Sequence, residues 1–416
     1  MTINAVDVLG QPLKLANGVV IKNRFAKSAM SETLGNTDNG PRDLLSNLYK
    51  TWALGGTGLL ITGNVMVDRR ALGEPNNVAM EDERHIDALK AWASASTVND
   101  THTWVQLNHP GKQSPNMLSK EPVAPSAIPL AKEFKSFFNP PRALTEDEIL
   151  DQIERFGKSA AISKKAGFTG VQIHGAHGYL VSQFLSPHHN QRTDRWGGSI
   201  ENRARFVMEI YQSIRTNVGA DFPVSIKMNS ADFQRGGFTE DESMIVAEML
   251  ADAGMDLIEI SGGNYESPSM TGANVKASTK AREAYFLSYA EDIRKRIDTP
   301  LMVTGGFRTE LGMAQAVASG ATDLVGYGRP LAVEPDFPNK ILNGESFTSQ
   351  VRPRLTGIKA IDERAMMETA WYTNQLNRIA QGKKPRVNEH PLVAFMRYLT
   401  VSSLRGVKTQ RLRANS

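Results

Sequence analysis

Residues 145–174 read TEDEILDQIERFGKSAAISKKAGFTGVQIH, and this stretch contains the structural unit that decides the fold. Its first four residues have the spacing of a capping box, which predicts the start of a helix. Apolar residues at helical spacing predict an amphipathic helix over 147–166, and Gly167 supplies the left-handed residue that commonly ends a helix. The apolar, β-branched run 170–174 follows at once and predicts a buried strand.

The same alternation of strand and helix recurs along the chain. The predicted strands are 24–30, 58–65, 102–108, 170–174, 223–228, 257–261, 301–304 and 324–327. The predicted helices are 42–54, 82–97, 147–166, 199–216, 241–253, 283–297, 310–318 and 336–342. Strand followed by helix, eight times over, predicts an α/β fold of the (β/α)₈ TIM-barrel class. An open doubly wound sheet is the alternative, but it normally has fewer units.

Two segments lie outside this repeat. Residues 11–22, QPLKLANGVVIK, alternate around Asn17-Gly18, which predicts a β-hairpin with a two-residue type I′ turn that caps the N-terminal mouth of the barrel. A further helix is predicted over 360–378, followed by a basic tail. We therefore expect a barrel domain over 1–343 and a C-terminal helical extension over 344–416, which packs on the barrel or on a partner subunit.

The composition excludes several classes of protein. The chain has no cysteine, so it forms no disulfide, thiolate zinc site or cysteine-ligated iron–sulfur cluster. Its 48 basic and 44 acidic residues give a net charge of +4, without the dense basic patch of a nucleic-acid-binding protein. It has no apolar run of about 18 residues to cross a membrane. With no secretory signal visible, a cytoplasmic protein is expected.

Polar residues end or follow several of the predicted strands. They are Ser28, Ser31, Asn64, Gln106, Asn108, His109, His174, His177, Lys227 and Arg329. The active site of a TIM barrel lies at the carboxyl ends of its strands, so we expect these side chains to face one mouth.

His174 and His177 are three residues apart and allow three interpretations. They can be a pair of donors that binds an anionic or carbonyl oxygen. They can be metal ligands, but a metal site needs a third ligand and usually an acidic base nearby, which the motif lacks. They can also be two polar residues that support a loop. The two histidines alone leave all three open.

The last two strands end in glycine-rich loops. The seventh leads into Gly305, Gly306 and Arg308, and the eighth into Gly328 and Arg329. Barrels often bind phosphate with these two loops, and an arginine can add a bidentate contact. Glycines that serve only tight turns are the alternative. No G-x-G-x-x-G motif follows the first strand, so a Rossmann dinucleotide site is not predicted.

Several longer motifs stand out along the chain: LKL…IKNRFAKSAM near the start, QLNHPGKQ at 106–113, and DLVGYGR at the eighth strand. In these motifs the chain resembles the old yellow enzyme family of FMN oxidoreductases. The most specific is the block from His174 to Phe206, which contains HGAHGY, QFLSP and NQRTDRWGGSIENRARF. These motifs are spread over residues 8–340, so the resemblance covers the predicted barrel.

The resemblance implies an enzyme that binds FMN and uses NADPH or NADH as its reductant. Its reaction would be the ping-pong reduction of the C=C bond of an activated alkene, an α,β-unsaturated carbonyl or nitro compound. His174 and His177 would then hold the carbonyl or nitro oxygen of the substrate. Tyr179 matches the proton donor of the family.

The resemblance also implies which residues contact FMN. They are Ser28, Ala29, Met30, Ser31, Asn64, Gln106, Lys227, Gly305, Gly306, Gly328 and Arg329. Ser31 stands where the family has threonine or cysteine, a departure that we expect to change the flavin potential. Gln106 would bond the N3 and O2 edge. Lys227 would lie near N1 and O2, where a fixed cation stabilises the anionic reduced flavin; at ~4 Å and an effective dielectric of ~20 the attraction is ~4 kcal/mol.

Other functions stay open at this point. A flavin barrel of the same family can act on a quinone, a nitro ester or oxygen, or bind flavin without turnover, and a metal-dependent lyase is a more distant alternative. The loop 118–142 contains Phe134, Phe137 and Phe138, which suggest a lid. Homodimers are common in the family, and Arg397-Tyr398 are candidates to reach a neighbour's site.

Overall fold

The computed structural model describes residues 3–267, 286–352, 354–356, 358 and 366–400. Eight parallel strands form a closed barrel in which each strand pairs with the next along the chain and the last pairs with the first. They are β1 (Phe25–Lys27), β2 (Leu59–Ile61), β3 (His102–Asn108), β4 (Gly170–Gly175), β5 (Val224–Asn229), β6 (Leu257–Ser261), β7 (Leu301–Thr304) and β8 (Leu324–Tyr327). The predicted (β/α)₈ barrel is confirmed.

One helix follows each strand. These are α1 (Asp43–Leu54), α2 (Ile86–Ser96), α3 (Glu146–Ala166), α4 (Ile200–Val218), α5 (Glu240–Asp252), α6 (Leu287–Ile293), α7 (Glu310–Ala318) and α8 (Phe337–Leu342). Outside the repeat lie the short helices Ala5–Leu9, Leu180–Leu185 and Arg329–Val333 and the longer helix Met366–Ala380. The capping box at the start of α3 is present, and Gly167 ends that helix at φ +95°.

The first strands are shorter than predicted. The backbone leaves the sheet after Lys27 and crosses the mouth of the barrel, so β1 ends three residues before the predicted bound at 30. The predicted strand 58–65 divides into β2 and the short strand Val65–Met66. Predicted and observed bounds agree for β3, β6, β7 and β8. Residues 283–285 and 360–365 of two predicted helices lie outside the described residues.

The N-terminal hairpin closes the bottom of the barrel, but its turn differs from the prediction. Strands Leu13–Lys14 and Val20–Ile21 pair antiparallel and pack against Trp104 and Met302 of the barrel interior. The turn has three residues, because the N–H of Leu15 donates to the Val19 carbonyl at 2.8 Å. Only Gly18 has positive φ there, whereas a type I′ turn needs it at both central residues. The Asn17 side-chain oxygen accepts from the Val19 N–H at 3.1 Å, which stabilises this turn.

Helix Met366–Ala380 packs against α1 and against the short helix Arg329–Val333. Its Trp371 is fully buried, and the Arg354 guanidinium lies 3.7 Å from the centroid of that ring. The described part of the extension therefore covers one side of the barrel, while the domain boundary at 343/344 stays a prediction. Among the described helices, none is long and apolar enough to cross a membrane.

Candidate active site

The parallel register brings the polar side chains of three strands together inside the barrel. Lys227 on β5 is in register with His174 on β4 and with Glu259 on β6. Side chains two residues apart on a strand share one face, so Gln172 on β4 points into the same space as His174. The carboxyl ends of β4, β5 and β6 thus form a polar wall of the mouth.

Glu259 is the centre of a buried polar network. Its carboxylate lies 3.0 Å from Lys227 Nζ, and both side chains are buried. It also accepts hydrogen bonds from Gln172 at 2.8 Å and from Thr304 at 2.7 Å. Gln172 in turn accepts from the amide of Gln106 at 2.8 Å, so the side-chain oxygen of Gln106 is available as an acceptor. Lys227 is paired with a full negative charge, and its attraction for an anion is therefore smaller than that of an isolated lysine.

His174, His177 and Tyr179 lie together at the end of β4. The ring centroids of His174 and His177 are 5.2 Å apart, and those of His174 and Tyr179 are 4.7 Å apart. His177 has φ +62°, a rare value for a residue with a side chain. Its N–H donates to the side-chain oxygen of Asn229 at 3.2 Å, which helps to hold this conformation. Such local backbone strain is common at functional sites.

Both histidines are neutral near pH 7. Burial is the main cause that lowers the pKa of each well below 6.5, and the nearby Lys227 lowers it further. A neutral imidazole has one N–H, and the bond at the other nitrogen decides which nitrogen carries it. His174 Nδ1 accepts from the backbone N–H of Ala176 at 3.4 Å, which leaves the proton on Nε2. His177 Nε2 lies 2.8 Å from the Ser261 hydroxyl, and acceptance there places the proton on Nδ1.

Tyr179 is buried, and its hydroxyl has a second phenol as its partner. The hydroxyls of Tyr179 and Tyr265 are 2.9 Å apart. Burial, followed by the neighbouring Tyr265 and the charge of Glu74, raises the pKa of Tyr179 well above 10. The phenol therefore keeps its proton at neutral pH and can donate it.

The segment 28–31 crosses the mouth from the end of β8 to the end of β2. The N–H of Ser28 donates to the carbonyl of Tyr327 at 2.9 Å. Gly328 lies so close to Met30 that a Cβ at this glycine would be 3.0 Å from the methionine sulfur. At the other end, the Ser31 hydroxyl lies 3.3 Å from Asn64 Oδ1 and also bonds the Glu74 carboxylate.

A buried ion pair anchors this segment at both ends. Lys27 Nζ donates to the carbonyl of Ile61 at 2.7 Å and lies 3.6 Å from Glu32. Glu32 accepts from the N–H of Gly63 at 3.0 Å and from the hydroxyl of Tyr49. Burial, only partly offset by Glu32, lowers the pKa of Lys27 to about 8. The pair therefore ties β1, the segment 28–31 and the end of β2 into one unit.

The two glycine-rich loops lie side by side, because Thr304 of β7 is in register with Gly326 of β8. Gly305 and Gly306 have φ +96° and +94°, values that favour glycine. Arg329 Nη1 lies 2.5 Å from Glu368 of helix Met366–Ala380, and both side chains are partly exposed. The extension thus orients the arginine beside the loops.

The comparisons with known proteins agree with this geometry. Residues 8–346 match the model of the NADH:flavin oxidoreductase / NADH oxidase family. The chain belongs to this family, that of the old yellow enzymes.

Relatives include an NADH-dependent flavin oxidoreductase, iliE, of Hypocrea jecorina (strain QM6a). It is 38% identical over an alignment of 354 residues, and the match covers 80% of this chain and 88% of the relative. The old yellow enzyme homologue of Zymomonas mobilis superimposes with a TM-score of 0.71 at 25% identity, over 82% of this chain and 94% of that chain. A 2-naphthoyl-CoA reductase superimposes with a TM-score of 0.77 at 28% identity, over 89% of this chain but only 58% of that longer chain.

This old yellow enzyme uses FMN as its cofactor and a nicotinamide nucleotide as its reductant. The residues of the mouth fit FMN. The free side-chain oxygen of Gln106 can accept from the flavin N3–H, and Lys227 offers a donor on the neighbouring wall. Two left-handed glycines and Arg329 are suited to a phosphate. All of the predicted cofactor contacts stay predictions, those of Gln106, Lys227, Gly305, Gly306, Gly328 and Arg329 as well as those of Ser28, Ala29, Met30, Ser31 and Asn64.

Several residues of the site were missed by the sequence analysis. They are Glu74, Gln172, Ser261, Glu259, Tyr265 and Thr304. The sequence could have indicated two of them. Gln172 precedes His174 by two residues, and residues at period two in a buried strand face the same side as each other. Glu259 is a charged residue that interrupts an apolar strand. Tyr265 and Glu74 lie in loops, where local patterns carry no such signal.

The structure also bears on the metal interpretation. Within the described ranges, the group spaced for a metal is His188, His189 and Glu266, whose ligand atoms lie within 4.8 Å of one another. It includes neither His174 nor His177. The amide of Gln234 lies 3.3 Å from His188 Nε2 and from a Glu266 oxygen, so it already donates to this group.

Proposed function

We propose that this old yellow enzyme reduces the C=C bond of activated alkenes, α,β-unsaturated carbonyl or nitro compounds, with NADH or NADPH as the reductant. The observation that carries the proposal is the grouping of two neutral imidazoles and a protonated phenol at the end of β4. His174 contacts both His177 and Tyr179 there, at the mouth that the segment 28–31 crosses.

The two histidines suit the binding of a carbonyl or nitro oxygen. A neutral imidazole donates one N–H without adding charge. The bond from Ala176 leaves the Nε2–H of His174 for a ligand, and His177 offers its Nδ1–H when its Nε2 accepts from Ser261. During reduction, negative charge builds up on the substrate oxygen. Two preorganised donors in a buried site stabilise that charge more strongly than water does.

FMN, when bound, supplies the hydride that is added to the β-carbon of the alkene. Tyr179 then supplies the proton. Its O–H bond breaks as the new C–H bond forms at the α-carbon, which completes the addition of H₂ across the double bond. A phenol with a raised pKa is a weak acid, but it is sufficient toward an enolate-like carbon.

The proposal is tested with the purified holoenzyme under anaerobic conditions. NADH or NADPH should bleach the visible flavin absorbance, and 2-cyclohexenone should then restore it with formation of cyclohexanone. Tyr179→Phe should be bleached at the wild-type rate but should reoxidise with the enone about 100-fold more slowly, the usual loss when a general acid is removed. If oxygen or a quinone restores the absorbance and no activated alkene does, the protein acts on those oxidants instead.

A further inference from the structure

We propose that Tyr265 is the second phenol of a proton-donating pair, and that it returns a proton to Tyr179 after each turnover. The inference rests on the proposed function and adds a residue to it. It starts from one contact, the 2.9 Å distance between the hydroxyl of Tyr179, after β4, and that of Tyr265, after β6.

Tyr179 is buried, so after it has donated its proton its hydroxyl oxygen has little access to water for a new one. The side chain is 8% exposed, and its ring lies between those of His174 and Tyr265, with centroid distances of 4.7 and 6.0 Å. Tyr265 is half-buried and lies toward the loop 118–142, where its ring is 6.2 Å from that of Phe138. Tyr265 therefore links the buried hydroxyl to the outer part of the mouth.

The relay balances without a further reactant. When Tyr179 gives its proton to the substrate carbon, a phenolate is left in a buried place, and the Tyr265 O–H donates to that oxygen and stabilises it. The O–H bond of Tyr265 then breaks as the O–H bond of Tyr179 re-forms. Tyr265 takes a replacement proton from water, which returns the pair to its starting state.

The charged surroundings favour a fully protonated pair between turnovers. Burial and then the Glu74 carboxyl raise the pKa of Tyr265 to about 12. The Glu74 carboxyl also raises the pKa of Tyr179. His174, whose ring packs against Tyr179, is neutral. A phenolate on either tyrosine is therefore the less stable state, so transfer of a proton back to the pair is downhill.

The experiment compares wild type, Tyr265→Phe and Tyr289→Phe as holoenzymes in stopped-flow measurements of the two half-reactions, in H₂O and in D₂O. Tyr265→Phe should be reduced by NADH at the wild-type rate, while its reoxidation by 2-cyclohexenone should slow about tenfold or more, the lower range for loss of a group that assists proton transfer. In repeated turnover with NADH and the enone, the solvent isotope effect on the rate should increase, because reprotonation of Tyr179, which follows reoxidation of the flavin, becomes limiting.

Tyr289→Phe is the matched control, since it also removes a phenol hydroxyl bonded to another hydroxyl, that of Ser243 at 2.7 Å, and that hydroxyl does not belong to the Tyr179–Tyr265 pair. It should leave both half-reactions and the isotope effect unchanged. FMN content and near-ultraviolet circular dichroism establish that each variant is folded. A Tyr265→Phe enzyme with the wild-type reoxidation rate and isotope effect would overturn the relay alone. A wild-type enzyme that is bleached by NADH but ignores the enone would overturn the proposed function, and the relay with it.

Discussion

At the scale of single residues, the pairing of Lys227 with Glu259 has the strongest consequence for the cofactor. Lys227 was expected to act as a fixed cation beside the flavin. Instead its ammonium lies 3.0 Å from a buried carboxylate that two further side chains hold in place. The pair carries no net charge, so Glu259 weakens the stabilisation that the lysine gives to an anionic flavin.

Glu259→Gln should therefore raise the midpoint potential of the bound flavin. An upward shift on the order of 30 mV corresponds to ~1.4 kcal/mol for a two-electron couple. The same variant should be ~3–5 kcal/mol less stable to denaturant, because it leaves a buried charge unpaired. Thr304→Val is the control, since it removes one hydrogen bond to Glu259 without changing charge, and it should leave the potential nearly unchanged. An unchanged potential in Glu259→Gln would show that Lys227 does not act on the flavin.

At the scale of elements, the extension helix and the eighth βα loop depend on each other. Arg329 follows β8, and its partner Glu368 lies on helix Met366–Ala380, whose Tyr372 ring is 5.9 Å from the guanidinium. A separate contact, Arg354 against Trp371, holds the same helix without involving the glycine-rich loops. These two arginines allow phosphate binding and helix packing to be separated.

Arg329→Leu should weaken FMN binding by about 10- to 100-fold, since charge-assisted hydrogen bonds contribute ~1.5–3 kcal/mol. Arg354→Leu should lower the melting temperature through the loss of packing on Trp371 but leave FMN affinity within about twofold. Titration of apoprotein with FMN, monitored by flavin fluorescence, measures the FMN affinity of both variants. If the two variants lose affinity equally, docking of the helix and not a phosphate contact of Arg329 is what matters.

At the scale of the whole molecule, buried histidines make the fold sensitive to acid. Burial is the main cause that lowers the pKa of His109 to about 4, of His189 to about 2, and of His174 and His177 well below 6.5. Below pH 6.5 the unfolded chain takes up protons that the folded chain does not, so stability falls as the pH decreases. Glu74, Asp232 and Asp256 act in the opposite direction, since their pKa values are raised in the folded state, first of all by burial.

Between pH 7 and pH 5.5 His109 should therefore cost about 1.3 kcal/mol of unfolding free energy, because its pKa is about 4 in the folded chain and ~6.5 in the unfolded chain. His109→Gln should reduce the loss over this range by that amount, as measured by urea unfolding at both pH values. Phe184→Leu, which weakens the core without removing a titratable group, should be less stable at both pH values by the same amount. A His109→Gln protein with the wild-type pH dependence would contradict the assignment.

The homodimer and the role of Arg397-Tyr398 stay predictions at this scale, with Arg397 bonded to Glu389 at 2.7 Å within its own chain.

The sequence by itself determined the barrel and the location of its site. Helix caps, apolar periodicity and β-branched runs act over a few residues. The alternation of strand and helix can therefore be predicted from short stretches of sequence, and four strands have the predicted bounds. The carboxyl ends of parallel strands must meet, which placed His174, Lys227 and Arg329 at one mouth. The motifs around His174 and Tyr179 then indicated the family.

Only the tertiary structure decided which of these side chains pair with one another. Tyr179 and Tyr265 are 86 residues apart, Lys227 pairs with Glu259 on the neighbouring strand, and Arg329 pairs with Glu368 on the extension. The three-residue hairpin turn likewise depended on how Asn17 bonds the backbone. Such contacts depend on the paths of the loops and on burial. Burial removes water from polar groups and so sets the charge of each group. No local pattern encodes them, because their energy arises only when distant parts of the chain are packed together.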